Sequence, residues 1–205
     1  LPPDAAPRDF QLVGDDRVLI ASGRGFIECD VKSPAIVRKV DCAGDLVISL
    51  RRLASGNLLL LSRDSGMLCE VSPAGAPVRQ TKLPFDYARL MRFTPEKNLV
   101  VCADSRIVEF DLDGRLLRSV PFRVQDAPGP NQRSGYHVLK LTNGNYLAST
   151  CYAASLAEVT PSGDIVRRFG GKDTPQAKAM NWVAFTGFEV LPNGHTVVTT
   201  WNGHG

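Results

Sequence analysis

Residues 191–205 read LPNGHTVVTTWNGHG and carry two of the chain's three histidines, His195 and His204, beside Trp201 and Asn202. The third, His137, follows Tyr136. Imidazole titrates near neutrality, so His204 or His137 is a candidate general base, and a guanidinium such as Arg133 matches a carboxylate, sulfate or phosphate. Tyr87, Tyr136, Tyr152, Trp182 and Trp201 add stacking faces, while Asn181 and Asn202 add paired donors and acceptors. Together these groups suit a polar, ring-shaped ligand such as a sugar or glycan fragment. Gly-x-Ser-x-Gly, His-Glu-x-x-His and the P-loop pattern are all missing, and SGRG at 22–25 reads as a hairpin turn because no helix follows it. A metal needs at least three converging ligands, and only His137 and His204 fall on one side of the expected fold; Asp86, Asp126 or Asp173 would have to complete a set. No metal or cofactor is therefore expected, and no catalytic residue can be assigned from sequence.

What these residues can do together depends on the elements that carry them. Helical periodicity is nearly absent; short β-branched and leucine-rich runs alternate with Gly, Asn, Asp and Pro, which is an all-β pattern. Four stretches align with one another, and a fifth begins at VLPNGHTVVTTW. Taking Arg17, Asn57, Asn98, Asn145 and His195 as equivalent gives spacings of 40, 41, 47 and 50 residues. Four strand-length runs in each such unit predict β-propeller blades, with strands A to D running outward from the axis. In the second unit the strands are expected near 47–53, 57–63, 66–72 and 76–82. SPAG, LDG and PSG supply the C-to-D turns. The alignment places acids on strand C at Asp30, Glu70, Asp111 and Glu158, in a solvated or turn-pairing role, and sets Cys29 and Cys69 at equivalent positions too far apart for a disulfide.

The repeated LPNGN-like turn, followed by a strand and by E-x-x-P-x-G, resembles the quinoprotein-like and NHL-like bacterial β-propellers. The ending GFEVLPNGHTVVTTWNGHG is similar to a late blade of an uncharacterised secreted six-bladed group. The resemblance implies architecture, six blades in a full ring, and no single activity, since such propellers include binding modules, scaffolds, lyases, lactonases and sulfotransferases. Four blades and half of a fifth are expected over residues 8–205, after an extension at 1–7. Because a propeller must close, the 205 residues are expected to be part of a longer chain or to partner a second polypeptide. Any helix should fall within 121–136 or 171–186.

Blade topology places the D-to-A and B-to-C loops at one end and the A-to-B and C-to-D turns at the other. Tyr87, Arg133, Tyr136, His137, Tyr152, Asn181, Trp182, Trp201, Asn202 and His204 then share a mouth, opposite His195. The lysines and arginines are scattered and the net charge is only +3, which gives nucleic acid no footprint. No apolar run reaches the ~18 residues of a membrane span. Five cysteines without a C-x-x-C pair argue against a disulfide framework and a zinc ribbon. The proline-rich opening LPPDAAPRDF suits a mature periplasmic or secreted protein after leader removal, or a trimmed one. The sequence thus favours a non-catalytic module that recognises a small polar ligand or a protein partner. A hydrolase, lyase or transferase at the same mouth is the rival.

Overall fold

The structure is a computed structural model, described over residues 6–33, 35–42, 44–123 and 135–201, with Trp201 described by its backbone alone. Four sheets of four antiparallel strands follow one another along the chain, each a simple meander. The first contains β1 (Pro7–Val13), β2 (Arg17–Ser22), β3 (Gly25–Asp30) and β4 (Ile36–Asp41). The second contains β5 (Val47–Arg52), β6 (Leu58–Ser62), β7 (Met67–Val71) and β8 (Pro77–Lys82), close to the spans read from sequence. The third contains β9 (Ala88–Phe93), β10 (Leu99–Ala103), β11 (Arg106–Phe110) and β12 (Leu116–Pro121). The fourth contains β13 (Val138–Lys140), β14 (Tyr146–Ser149), β15 (Ser155–Val159) and β16 (Ile165–Gly170). A two-stranded sheet of β17 (Ala184–Val190) and β18 (Thr196–Trp201) comes last. The single helix among the described residues, α1 (Pro175–Ala179), lies in the second of the two expected windows. Pro7 opens β1, where a missing N–H costs no ladder bond.

The chain divides into two compact units, residues 1–91 with 113–115 and residues 92–112 with 116–205. In the first, Leu19, Ala21 and Phe26 pack with Val47, Leu50, Leu58, Leu60, Cys69 and Val71. In the second, Val100, Cys102, Ile107, Val120 and Phe122 pack with Val138, Tyr146, Ala148, Ala157 and Val159. The continuous apolar runs LLLLS of β6 and LVVCA of β10 are buried at every position, as strands covered on both faces require. The outermost strands β8 and β16 are largely exposed.

Register corrects two of the sequence expectations. Leu19 pairs with Glu28, Leu59 with Glu70, Val100 with Glu109 and Leu147 with Glu158, so the recurrent strand C acids are Glu28, Glu70, Glu109 and Glu158 rather than a set with Asp30 and Asp111. Asp30 instead pairs with Arg17 across the first sheet, at 2.9 Å. By the same register Cys29 matches Val71, and Cys69 matches Ile27, so the two cysteines are not equivalent. The four glutamates each face an arginine on strand D, Arg38, Arg79, Arg118 or Arg167, and each pairing sits beside a β-bulge.

Candidate functional site

Strand pairing fixes which candidate residues share an end. In the second unit the Tyr136 N–H bonds to the Ser149 carbonyl at 3.0 Å, so the start of β13 lies beside the end of β14. Tyr152 follows in the loop to β15, and a bridge joins Cys151 to Phe185 at the start of β17. Trp182 precedes β17, and the backbone of Trp201 pairs with Ala184. Tyr136, Tyr152, Asn181 and Trp182 therefore lie at one end of these sheets. His195, in the turn from β17 to β18, is exposed at the other. Tyr87 belongs to the first unit, half-buried under the Arg89 guanidinium, 4.7 Å from its ring centroid. Arg133, Asn202, His204 and the Trp201 side chain lie outside the described residues.

The short helix α1 sets Asn181 and Trp182. Thr174 caps it, its hydroxyl accepting the Ala177 N–H at 3.2 Å, and Pro175 opens the first turn. The chain reverses through Asn181 at φ +49°, a left-handed conformation that asparagine tolerates. The Trp182 N–H then returns to the Ala177 carbonyl at 3.0 Å, and its ring meets Phe185 edge-on with centroids 5.0 Å apart. Trp182 is half-buried and borders an apolar hollow of about 530 Å³, whose walls include Leu156, Phe169, Phe185 and Val198.

His137 does not lie on an open mouth. It is 1% exposed, and its Nδ1 accepts the Phe188 backbone N–H at 3.1 Å while the ring lies tilted by 40° against Phe188 with centroids 4.5 Å apart. Its own N–H donates to Ser149 Oγ at 3.0 Å, and that hydroxyl donates to the Thr186 carbonyl at 2.6 Å. Burial, with Arg92 adding to it, pushes the imidazole down to about 2, so the ring is neutral. With Nδ1 accepting, the proton sits on Nε2, which has no hydrogen-bond partner. The side chain holds one inner strand to the next, which sequence patterning alone could not distinguish from a loop histidine.

Sequence reasoning missed two polar clusters. In the first unit the buried Asp9 carboxylate pairs with Arg51 at 3.0 Å and accepts the Ser49 hydroxyl. In the second, buried Glu109 accepts Lys140 Nζ and the Tyr146 hydroxyl, both at 3.0 Å. Burial, then the Glu109 charge, raises the Tyr146 phenol. The other strand C glutamates make local bonds: Asn57 reaches Glu70 at 2.8 Å, and Asn145 reaches Glu158 at 2.8 Å and holds its carboxyl below the usual range. Among the described residues no group of three or more His, Cys, Asp or Glu side chains is placed to hold a metal.

No family model and no curated protein matches the chain. Solved structures do. A protein of unknown function from Bacteroides caccae superposes with a TM-score of 0.73 at 18% identity, over all of this chain and 74% of that one. Virginiamycin B lyase from Staphylococcus aureus gives 0.61 at 14%, over all of this chain and 73% of the lyase. The extracellular domain of a hybrid two component system from B. thetaiotaomicron gives 0.61 at 14%, over 95% of this chain and 26% of that one. The fold is a β-propeller. Identities this low establish the propeller's architecture and not its activity. No described helix of the propeller is long and apolar enough to cross a membrane.

Proposed function

We propose that this propeller is a recognition module that binds a small polar, carbohydrate-like ligand without chemistry of its own. The observation behind this reading is the set of three half-buried aromatic rings, Tyr136, Tyr152 and Trp182, with exposed Asn181, at one end of the second unit's sheets. Rings that keep one face toward solvent stack on a sugar, and an amide beside them supplies a donor and an acceptor. Trp201, Asn202, His204 and Arg133 extend the same set in this reading, and a periplasmic or secreted location fits both the ligand class and the extracellular neighbour. Calorimetric titration of a glycan panel tests it. Tyr152→Ala and Asn181→Gly, which keeps the left-handed turn, should each weaken binding of the best glycan about tenfold, some 1.4 kcal/mol, with melting nearly unchanged. A panel without binding, or variants that only lose stability, would remove the ligand reading.

A lyase, hydrolase or transferase at the same end is the second reading, favoured by the similarity to a lyase. Buried, neutral His137 is a poor general base, so that role would fall to His204 with Arg133 holding an anion. Incubation with virginiamycin B, followed by chromatography and tandem mass spectrometry, separates the readings: recovery of the unchanged compound supports recognition, and a new product supports the enzyme.

A further inference from the structure

Two positions of the repeat meet between neighbouring sheets. The first is the residue that follows strand D, which donates its backbone N–H to the residue just before strand C of its own sheet: Cys42 to Arg24 at 3.2 Å, Leu83 to Gly66 at 3.0 Å and Phe122 to Ser105 at 3.0 Å. Leu83 and Phe122 are fully buried there. The second lies on strand C, one residue before the recurrent glutamate, where the four sheets carry Ile27, Cys69, Val108 and Ala157. In the second unit Phe122 packs in one cluster with Ala157, on strand C of the following sheet, so a phenyl ring and a methyl group fill this contact.

The first two sheets place a thiol at both positions. Cys69 is buried within the first unit's core cluster, and half-buried Cys42 packs against that cluster together with Val40. The sheets approach closely here, since a Cβ on Gly75, in the second sheet's C-to-D turn, would collide with Val40 and lie 3.6 Å from Cys42 Cβ. Burial pushes the Cys42 thiol up to about 11, with the neighbouring Cys69 and then Asp41 adding to the rise, and burial raises Cys69 as well. Both thiols are therefore protonated at neutral pH in the folded chain, and neither is an activated nucleophile. Thiols whose thiolates are disfavoured are the stronger reductants, so a bond between them resists reduction. A disulfide is uncharged and donates no hydrogen bond, which suits a contact that the second unit fills with apolar groups.

We propose that Cys42 and Cys69, free thiols in this structure, form a disulfide that staples the first sheet to the second in an oxidising compartment. The oxidant is a disulfide of the glutathione or thiol oxidoreductase class, and the exchange takes place while the chain folds, before burial suppresses the thiolates. The Cys42 thiolate attacks one sulfur of the oxidant and forms a mixed disulfide, and the other sulfur leaves as a thiolate. The Cys69 thiolate then attacks the Cys42 sulfur and expels the remaining thiolate. Two protons and two electrons pass from the cysteines to the oxidant, which ends as two thiols. The bond closes a loop that holds β5 and β6, and restraint of so long a loop acts chiefly on the unfolded chain. Buried Cys29, Cys102 and Cys151 stay reduced, so the link is a single staple and not a framework. The inference rests on packing and not on the ligand reading.

The reduced chain is unfolded, refolded in a glutathione redox buffer, blocked with N-ethylmaleimide and mapped by mass spectrometry without reduction. A peptide cross-linked between Cys42 and Cys69 should account for most of the folded chain, with Cys29, Cys102 and Cys151 recovered as free thiols. The oxidised chain should melt about 5 °C or more above the same chain after reduction. Cys42→Ser, at a half-buried position, should fold and show no difference between oxidised and reduced samples. Recovery of Cys42 as a free thiol or as a glutathione adduct, a link from Cys69 to Cys29, or a Cys42–Cys69 link that leaves the melting temperature unchanged or lowers it would each overturn the proposal.

Discussion

Ser49 in the first unit and His137 in the second hold the same place, four residues before Leu53 and Leu141, whose amides close the A-to-B turns at 2.8 Å. Both are buried, and both take a backbone N–H from the inner strand of the following sheet, Ser49 from Met91 at 3.0 Å and His137 from Phe188 at 3.1 Å. The hydroxyl satisfies itself completely, since Ser49 also donates to Asp9, which Arg51 neutralises. The imidazole does not: its Nε2 has no partner and burial keeps it uncharged. One backbone requirement is met by two chemistries, and the histidine that looked like a catalyst in sequence is there a strand cap.

The largest effect expected from this contrast is in the first unit. Arg51→Met removes a cationic partner of a carboxylate whose side chain is 2% exposed, and breaking a buried ion pair costs about 3–5 kcal/mol. Denaturant unfolding should show that loss, and Asp9→Asn combined with Arg51→Met should recover a good part of it. A loss under about 1 kcal/mol would mean that water reaches Asp9.

His137→Ala comes next. It orphans the Phe188 amide and opens space beside that ring, for about 2–3 kcal/mol. His137→Asn, which keeps an acceptor near the position of Nδ1, should recover about half of the loss. A histidine that served only as solvent-exposed ligand contact would cost little stability in either variant.

The pH dependence follows in size, and its sign is set by the lowered value. The unfolded chain takes up a proton near pH 6.5, whereas native His137 does not do so until about pH 2. The stabilisation is fully present above 6.5 and is lost as pH falls through that window, because the unfolded state binds the extra proton. Between pH 7.5 and 5.5 the wild type should lose about 1.4 kcal/mol more than His137→Asn does. Parallel stability curves for the two would place His137 in water instead.

The repeat was legible because each unit announces itself through Gly and Asn turns between apolar runs, and β5 to β8 fall within a residue or two of the expected spans. The strand C acids were misread in the first and third sheets, where an aspartate follows the glutamate by two residues, Asp30 after Glu28 and Asp111 after Glu109. In the first sheet Arg17 stands in place of Asn57, and it reaches Asp30 rather than Glu28, so the eye aligns Asp30 with Glu70. Bulges beside Glu28, Glu70, Glu109 and Glu158 then hide the true register from a count along the chain. The shared end of Tyr136, Tyr152 and Trp182 follows from loop parity, which sequence can supply. The burial of His137 does not, because it depends on how the next inner strand, 51 residues later, presents its N–H.

The smallest effect belongs to the outer rim, where the repeat's glutamate and arginine are nearly equal in sequence and unequal in consequence. Arg167 is 66% exposed and stands 3.9 Å from Glu158, which already accepts two asparagine amides. Water and salt screen such a pair, so Arg167→Ala should change stability by less than about 0.5 kcal/mol, and less still at high salt. Glu109 has the same register opposite Arg118, yet it is buried and spends both oxygens on Lys140 and Tyr146. Glu109→Ala leaves the buried Tyr146 hydroxyl without its acceptor and the half-buried Lys140 ammonium with Glu96 alone, 3.2 Å away, and should cost about 2 kcal/mol. Measuring both variants by the same denaturant titration decides whether burial or sequence position governs the pair. Equal losses at the two sites would show that the propeller's repeat weighs its glutamates by register alone.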